Sequence, residues 1–174
     1  IYFGTGKYLG YLDIVDTSAQ TVYGILDSGS RITGTPPRSA LQEQTFIYEG
    51  RRTSADASLV RVASNNATNY TGTDAKRGWY LDLLSPNTPS HLGERVVSAP
   101  LLRNGRLIIT SIVPSTAACD QGGYSWITEL DALYGKRLAY NVFDYTNDRL
   151  FTDADSALHD DQENPVSSRQ LGEE

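Results

Sequence analysis

Bulky apolar residues recur at every second position through short runs, and polar stretches rich in Gly, Pro, Asn, Asp and Ser separate the runs. A period of two belongs to a strand, whose successive side chains leave on opposite faces. Helical spacing is nearly absent. The pattern predicts strands over 1–3, 21–27, 43–48, 58–63, 78–83, 95–101, 106–113 and 125–130, with 136–141 as a further candidate. Residues 41–44 fit a short helix or a strand equally well. Arg103-Asn104-Gly105-Arg106 joins two runs, and Asn-Gly supplies the positive φ angles of a tight hairpin.

The segment from Cys119 through Gly122-Gly123-Tyr124-Ser125-Trp126 to Leu130-Asp131 enters from a Gly-Gly turn and ends on Asp. That is the form of a β-propeller blade strand. Tyr23 to Leu26-Asp27 and Trp79-Tyr80-Leu81-Asp82 also set an aromatic just before Leu-Asp. The three segments recur about every 50 residues, close to the roughly 40–50-residue period of propeller blades. The expected class is all-β, with antiparallel sheets forming blades of a partial or modified propeller. A β-sandwich has similar strand spacing. Residues 1–155 are expected to form the blades. Residues 156–174 read as a polar acidic tail with Pro165 and few large apolar residues, mobile unless something binds it.

With 174 residues the chain can bury a real core. It starts at Ile1 and has no Met, so it reads as a fragment or a processed product of something longer. No apolar run reaches the length of a membrane span. The net charge of −6 leaves no basic footprint for nucleic acid, and Lys and Arg do not cluster as anionic lipid would require. Cys119 is the single cysteine; it fits a buried thiol or a pairing outside these residues, and its count does not decide the compartment.

Five blocks in order resemble one region of the PilC/PilY family. They are Phe3-Gly-Thr-Gly-Lys7-Tyr-Leu-Gly10, Thr21-Val-Tyr-Gly-Ile-Leu-Asp27, Arg77-Gly-Trp-Tyr-Leu-Asp82, Gly93-Glu94-Arg95-Val96 and Cys119 to Asp131. Members are type IV pilus tip-associated adhesins and biogenesis factors. The resemblance, over roughly 1–155, implies part of a C-terminal β-propeller on a large secreted bacterial protein. It implies a place at the pilus tip or the outer-membrane surface, with minor pilins or other tip proteins as partners and a host surface as a further one. It implies support of pilus assembly, control of retraction and adhesion, not catalysis. Several members bind calcium through an Asp-rich loop.

One segment here has that character. Asp144 to Asp155 fits a twelve-residue calcium loop, with Asp144, Thr146 and Asp148 at positions one, three and five, the Leu150 carbonyl at seven and Asp155 at twelve. It resembles dockerin-like loops, in which Asp replaces the terminal Glu. It departs from the pattern at position six, where Arg149 stands in place of Gly, and at three, where Thr146 is a weaker ligand than Asp or Asn. The plainer reading is a solvated acidic turn.

Other signals carry less. Gly4-Thr-Gly6-Lys7 lacks the upstream Gly and the following Ser or Thr of a phosphate loop, and reads as a turn. His91 and His159 lack metal-ligand spacing, and no Gly-x-Ser-x-Gly elbow is present. Asn66-Ala-Thr68 and Asn69-Tyr-Thr71 are formal glycosylation sequons in a polar stretch expected to be exposed. Trp79, Tyr80, Tyr124 and Trp126 are expected to pack in the core rather than line a groove. Two alternatives stand beside the pilus module: a fragment of a propeller-type quinone-dependent dehydrogenase, to which 130–138 is similar, and a generic structural β domain.

Overall fold

A computed structural model describes residues 1–33, 37–51, 59–88, 90–115 and 123–171. The strands in chain order are β1 (Tyr2–Gly4), β2 (Thr21–Ile25), β3 (Gln42–Gln44), β4 (Phe46–Gly50), β5 (Val60–Ala63), β6 (Gly78–Asp82), β7 (Leu101–Arg103), β8 (Arg106–Pro114), β9 (Gly123–Asp131), β10 (Ala157–His159), β11 (Gln162–Asn164) and β12 (Ser168–Leu171). One short helix, α1 (Tyr11–Val15), follows β1. A six-stranded sheet runs in the order β4-β5-β12-β9-β8-β7, a four-stranded sheet in the order β1-β2-β6-β3, and β10 and β11 form a small hairpin. Pairing is antiparallel except where β3 runs parallel to β6. Among the described residues the sheets do not close into a ring of blades.

Two apolar clusters lie on opposite faces of the six-stranded sheet. On one face Ala63, Leu107, Ile109 and Leu130 meet Val22, Trp79 and Leu81 of the four-stranded sheet. On the other, Val60 and Val62 are covered by Phe143, Tyr145, Ala157 and Val166. Residues 140–166 therefore form a third layer over the sheet, and strand alternation sorts the two faces.

The hairpin at Asn104-Gly105 forms as expected, with φ of 50° and 75° at the two turn residues and Arg103 opposite Arg106. Other expectations change. The predicted strand 43–48 breaks at Thr45, and its halves, β3 and β4, join different sheets. Of residues 41–44, Gln42–Gln44 resolve as strand after a 3-10 turn over Pro37–Ala40. The predicted strand 95–101 makes only a single bridge, Arg95 to Ile112. Pro100 has no N–H to give a ladder, and pairing resumes at Leu101. Residues 136–141 form no strand.

The repeat does not mark successive blades throughout. Tyr23 lies opposite Tyr80 and Gly24 opposite Trp79, so the first two copies are neighbours in one sheet. Only the third, in β9, sits in the other sheet. The tail boundary at 155 is also corrected. Residues 157–171 hold three strands, and β12 lies between β5 and β9 in the middle of the large sheet. Its polar sequence misleads because small hydroxyls are used inside: Ser168 Oγ accepts from Thr128 Oγ1 at 2.8 Å, and Ser167 Oγ accepts from the Ala63 N–H at 3.0 Å. Cys119 and Gly122 lie outside the described residues.

Candidate functional site

The acidic loop 144–155 sits in the covering layer, between Phe143 and Tyr145 at its start and Ala157 just after its end, all of which pack on the sheet. Apolar anchors at both ends fix where the loop begins and returns. Asn141 ties the two ends together. Its Nδ2 donates to the Thr152 carbonyl at 2.8 Å and to Ser156 Oγ at 3.0 Å, and its Oδ1 accepts from the Val166 N–H at 3.1 Å. From the central strand, Arg169 Nη1 donates to the Asp144 carbonyl at 3.3 Å.

Asp155 is fully buried. Its Oδ1 accepts from the Tyr145 N–H at 2.7 Å, the Thr146 N–H at 2.8 Å and Thr146 Oγ1 at 3.0 Å, and its Oδ2 accepts from the Thr152 N–H at 2.9 Å. Burial alone would raise its pKa. The hydrogen bonds from Thr152, Thr146 and Tyr145 outweigh burial and hold the carboxyl below the ordinary aspartate value. Asp144 accepts from the N–H groups of Asp148 at 3.2 Å and Arg149 at 2.8 Å, closing the turn from its other end.

Of the five residues expected to ligate calcium, the fold gathers three. Thr146 Oγ1 lies 3.0 Å from Asp155 Oδ1 and 3.4 Å from Asp144 Oδ1. Asp148 makes its own local turn, with Oδ1 accepting from the Leu150 N–H at 2.8 Å, and the Leu150 side chain is exposed. Among the described residues no group of three or more His, Cys, Asp or Glu side chains forms a ready metal cluster. The chain nevertheless makes the sharp turn that the pattern demands. Arg149, at the position normally held by Gly, has φ of 68°. The oxygens of Asp144, Thr146 and Asp155 thus lie close together and are of the type a hard cation takes, while Asp148 Oδ1 is engaged in its own turn.

The pKa depression at Asp155 gives a signed prediction. A lowered folded-state value stabilises above the unfolded pKa of roughly 4 and is lost as pH falls through the folded value. Asp155→Asn is expected to destabilise the chain at neutral pH by about 1.5–3 kcal/mol, because it removes a charged acceptor from buried donors. It should also flatten the acid limb of the stability–pH curve below about pH 4. Urea melts of both proteins across pH 3–7 measure this; parallel curves at all pH values would contradict it.

Sequence reasoning missed a second polar constellation, a buried ionic hub between the sheets. Arg61 is 1 % exposed and Glu94 2 %. Arg61 Nε donates to Glu49 Oε2 at 2.5 Å and Nη1 to Glu94 Oε2 at 2.6 Å. Its guanidinium stacks 3.8 Å from the Trp126 ring. Ser111 Oγ donates to Glu94 Oε1 at 2.6 Å. A cation inside the apolar run Val60-Arg61-Val62 was the available signal, because a strand buried on both faces takes a charge only when it is paired. The expectation for the aromatics holds for Trp79 and Trp126, which are core residues, while Tyr80 and Tyr124 are half-buried. The sequon stretch is less exposed than its polarity implies: Thr68 is buried and donates to the Tyr134 carbonyl at 2.8 Å.

No protein-family model matches the chain. It is 35% identical over 136 residues to a type IV pilus biogenesis factor PilY1 homolog of Xylella fastidiosa (strain Temecula1), covering 78% of this chain and 9% of that protein. It is 32% identical over 161 residues to the type IV pilus biogenesis factor PilY1 of Pseudomonas aeruginosa (strain UCBPP-PA14), covering 83% of this chain and 14% of that protein. The crystal structure of the Pseudomonas aeruginosa PilY1 C-terminal domain superposes with a TM-score of 0.82 at 28% identity, over 98% of this chain and 35% of that one. The chain thus spans a small share of these curated relatives and about a third of the solved domain.

Proposed function

This is a PilY1-family chain, homologous to the C-terminal domain of that type IV pilus biogenesis factor, and from this premise we infer that it serves as a non-enzymatic module of a pilus-tip protein. One observation carries the reading: almost the whole chain superposes on the solved C-terminal domain. The two sheets are then blades of a larger, modified propeller, and the module supports pilus assembly, retraction control and adhesion. Its setting is the pilus tip or the outer-membrane surface, and its partners are minor pilins or other tip proteins, with a host surface beyond them. None of the described helices is long and apolar enough to cross a membrane. The names of the relatives give no support to the quinone-dehydrogenase alternative. Co-purification of the full factor with purified minor pilins tests the partner assignment; a full factor that retains none of them at micromolar concentration would overturn it.

Calcium is the proposed ligand of the 144–155 loop, held by Asp144, Thr146, Asp148, the Leu150 carbonyl and Asp155. When bound it would supply positive charge and fixed geometry to a loop whose ends anchor the covering layer. The gain in stability follows from binding only the ordered state. Calorimetric titration should show a saturable heat that is absent in an Asp144→Ala, Asp148→Ala double variant; equal heats, or none, would remove the assignment. Arg149→Gly is expected to relieve the left-handed backbone by about 0.5–1 kcal/mol and to tighten calcium several-fold. Unchanged affinity and stability would show that the turn costs nothing at this position.

A further inference from the structure

The turn formed by residues 7–16 is built inside out. Its one buried helical residue is Asp13, while its large apolar side chains face water. Leu9 is 90 % exposed, Leu12 77 % and Tyr11 74 %, and Tyr8 and Val15 are also exposed. Beside them, Tyr8, Leu9, Gly10 and Ile14 line a shallow cavity of about 210 Å³. Exposed single hydrophobic residues are ordinary, but several gathered on one short turn mark a surface meant to be covered.

The turn is also held rigidly, which a solvent-facing loop does not require. Asp13 Oδ2 accepts from the N–H groups of Leu9 at 2.8 Å and Gly10 at 3.0 Å, and Lys7 Nζ lies 3.1 Å from Asp13 Oδ1. Beneath it Arg95, 1 % exposed, donates from Nη1 to the carbonyls of Lys7 at 3.0 Å and Asp13 at 2.6 Å. Arg95 Nη2 donates to the Asp16 carbonyl, and Nε donates to the Gly93 carbonyl at 2.8 Å. Backbone pairing of Arg95 with Ile112 fixes this anchor to β8 of the large sheet. A buried guanidinium spent on four carbonyls fixes the backbone that carries the apolar side chains before any partner arrives, which lowers the entropic cost of docking.

We propose that the 8–15 turn is the seat for another part of the same PilY1-type polypeptide, an apolar sheet face or loop from the portion of the C-terminal domain outside these residues. The occupant follows from coverage: the solved domain matches this chain over 98% of the chain but only 35% of the domain, so about two thirds of such a domain lies outside the matched residues and is available to cover this face. The inference rests on the homology reading. It does not depend on whether the module acts in pilus assembly.

The test places the photo-cross-linker p-benzoylphenylalanine at Leu12 in the full polypeptide that carries this chain, followed by irradiation and peptide mapping. The expected product joins the 8–15 turn to a peptide of the same polypeptide outside residues 1–174, with no gain in molecular mass. An adduct at twice the mass, an adduct with a separate pilus protein, or no adduct above the dark control would each overturn it. A second arm uses Leu9→Ser, Leu12→Ser. The 174-residue chain should keep its melting temperature within about 2 °C, since surface changes away from contacts are nearly neutral. The full polypeptide carrying the same changes should lose several degrees; equal melting of the two full-length proteins would contradict the proposal. Unchanged piliation elsewhere would count against the functional reading without touching this cross-link.

Discussion

Arg61→Ala is expected to destabilise the chain by about 3–5 kcal/mol, the cost of leaving one member of a buried ion pair alone. Arg61 joins four elements: β5, which carries it, β4 through Glu49, the 93–96 segment through Glu94, and β9 through the Trp126 ring. Removing it strands Glu94, which is buried and among the described residues keeps the Ser111 hydroxyl as its side-chain partner. Burial already pushes the Glu94 pKa up, against the pull of Arg61 and Ser111, so the uncompensated charge would be costly. For a chain of this size the loss corresponds to a melting temperature lower by roughly 10 °C or more. Adding Glu94→Gln to Arg61→Ala should recover part of the loss, because no charge then remains unpaired at that position. Additive losses in this double-mutant cycle would show that Arg61 and Glu94 are not coupled.

The second large effect centres on Trp79, which is buried between two glycines. A Cβ at Gly24 would lie 2.4 Å from its ring, and one at Gly135 2.2 Å from it. Its indole N–H donates to the Ala132 carbonyl at 3.1 Å. The slot ties β6 to the turn after β9, and so joins the two sheets. Trp79→Ala is expected to cost about 3–5 kcal/mol through the cavity and the lost bond. Gly135→Val should come close to this from the opposite cause. Gly135 has φ of +71°, which a β-branched residue adopts only with strain, and the added side chain has no space. Urea denaturation measures both; a Gly135→Val protein as stable as the parent would show that the ring can move aside.

These two sites show why the chain was only partly legible. The alternation in β8 and β9 is a local property, and the sequence carries it directly. The Asn104-Gly105 turn is legible for the same reason, since its chemistry is complete within two residues. Sheet membership is not local. Nothing between Gln44 and Phe46 announces that the strand changes sheets, and the Tyr23 and Trp79 segments look like repeats although they pair with each other. Polarity misled at Ser167 and Ser168, where tertiary contacts supply hydrogen bonds that composition cannot foresee. At the acidic loop the fold sets Thr146 beside Asp144 and Asp155, whereas Asp148 has its own turn. The inside-out turn at 8–15 departs from the rule that apolar residues go inward, and such departures point to contacts made with something else.

The proposed role in pilus biogenesis requires this fold to be intact. The most direct measurement is the amount of pilin sheared from the surface of cells whose gene lacks the segment encoding residues 1–171, beside cells carrying Arg61→Ala. Surface pilin is expected near background in the first and sharply reduced in the second, with total cellular pilin unchanged and recovery when the intact gene is restored. Normal surface pili in cells without the segment would contradict it.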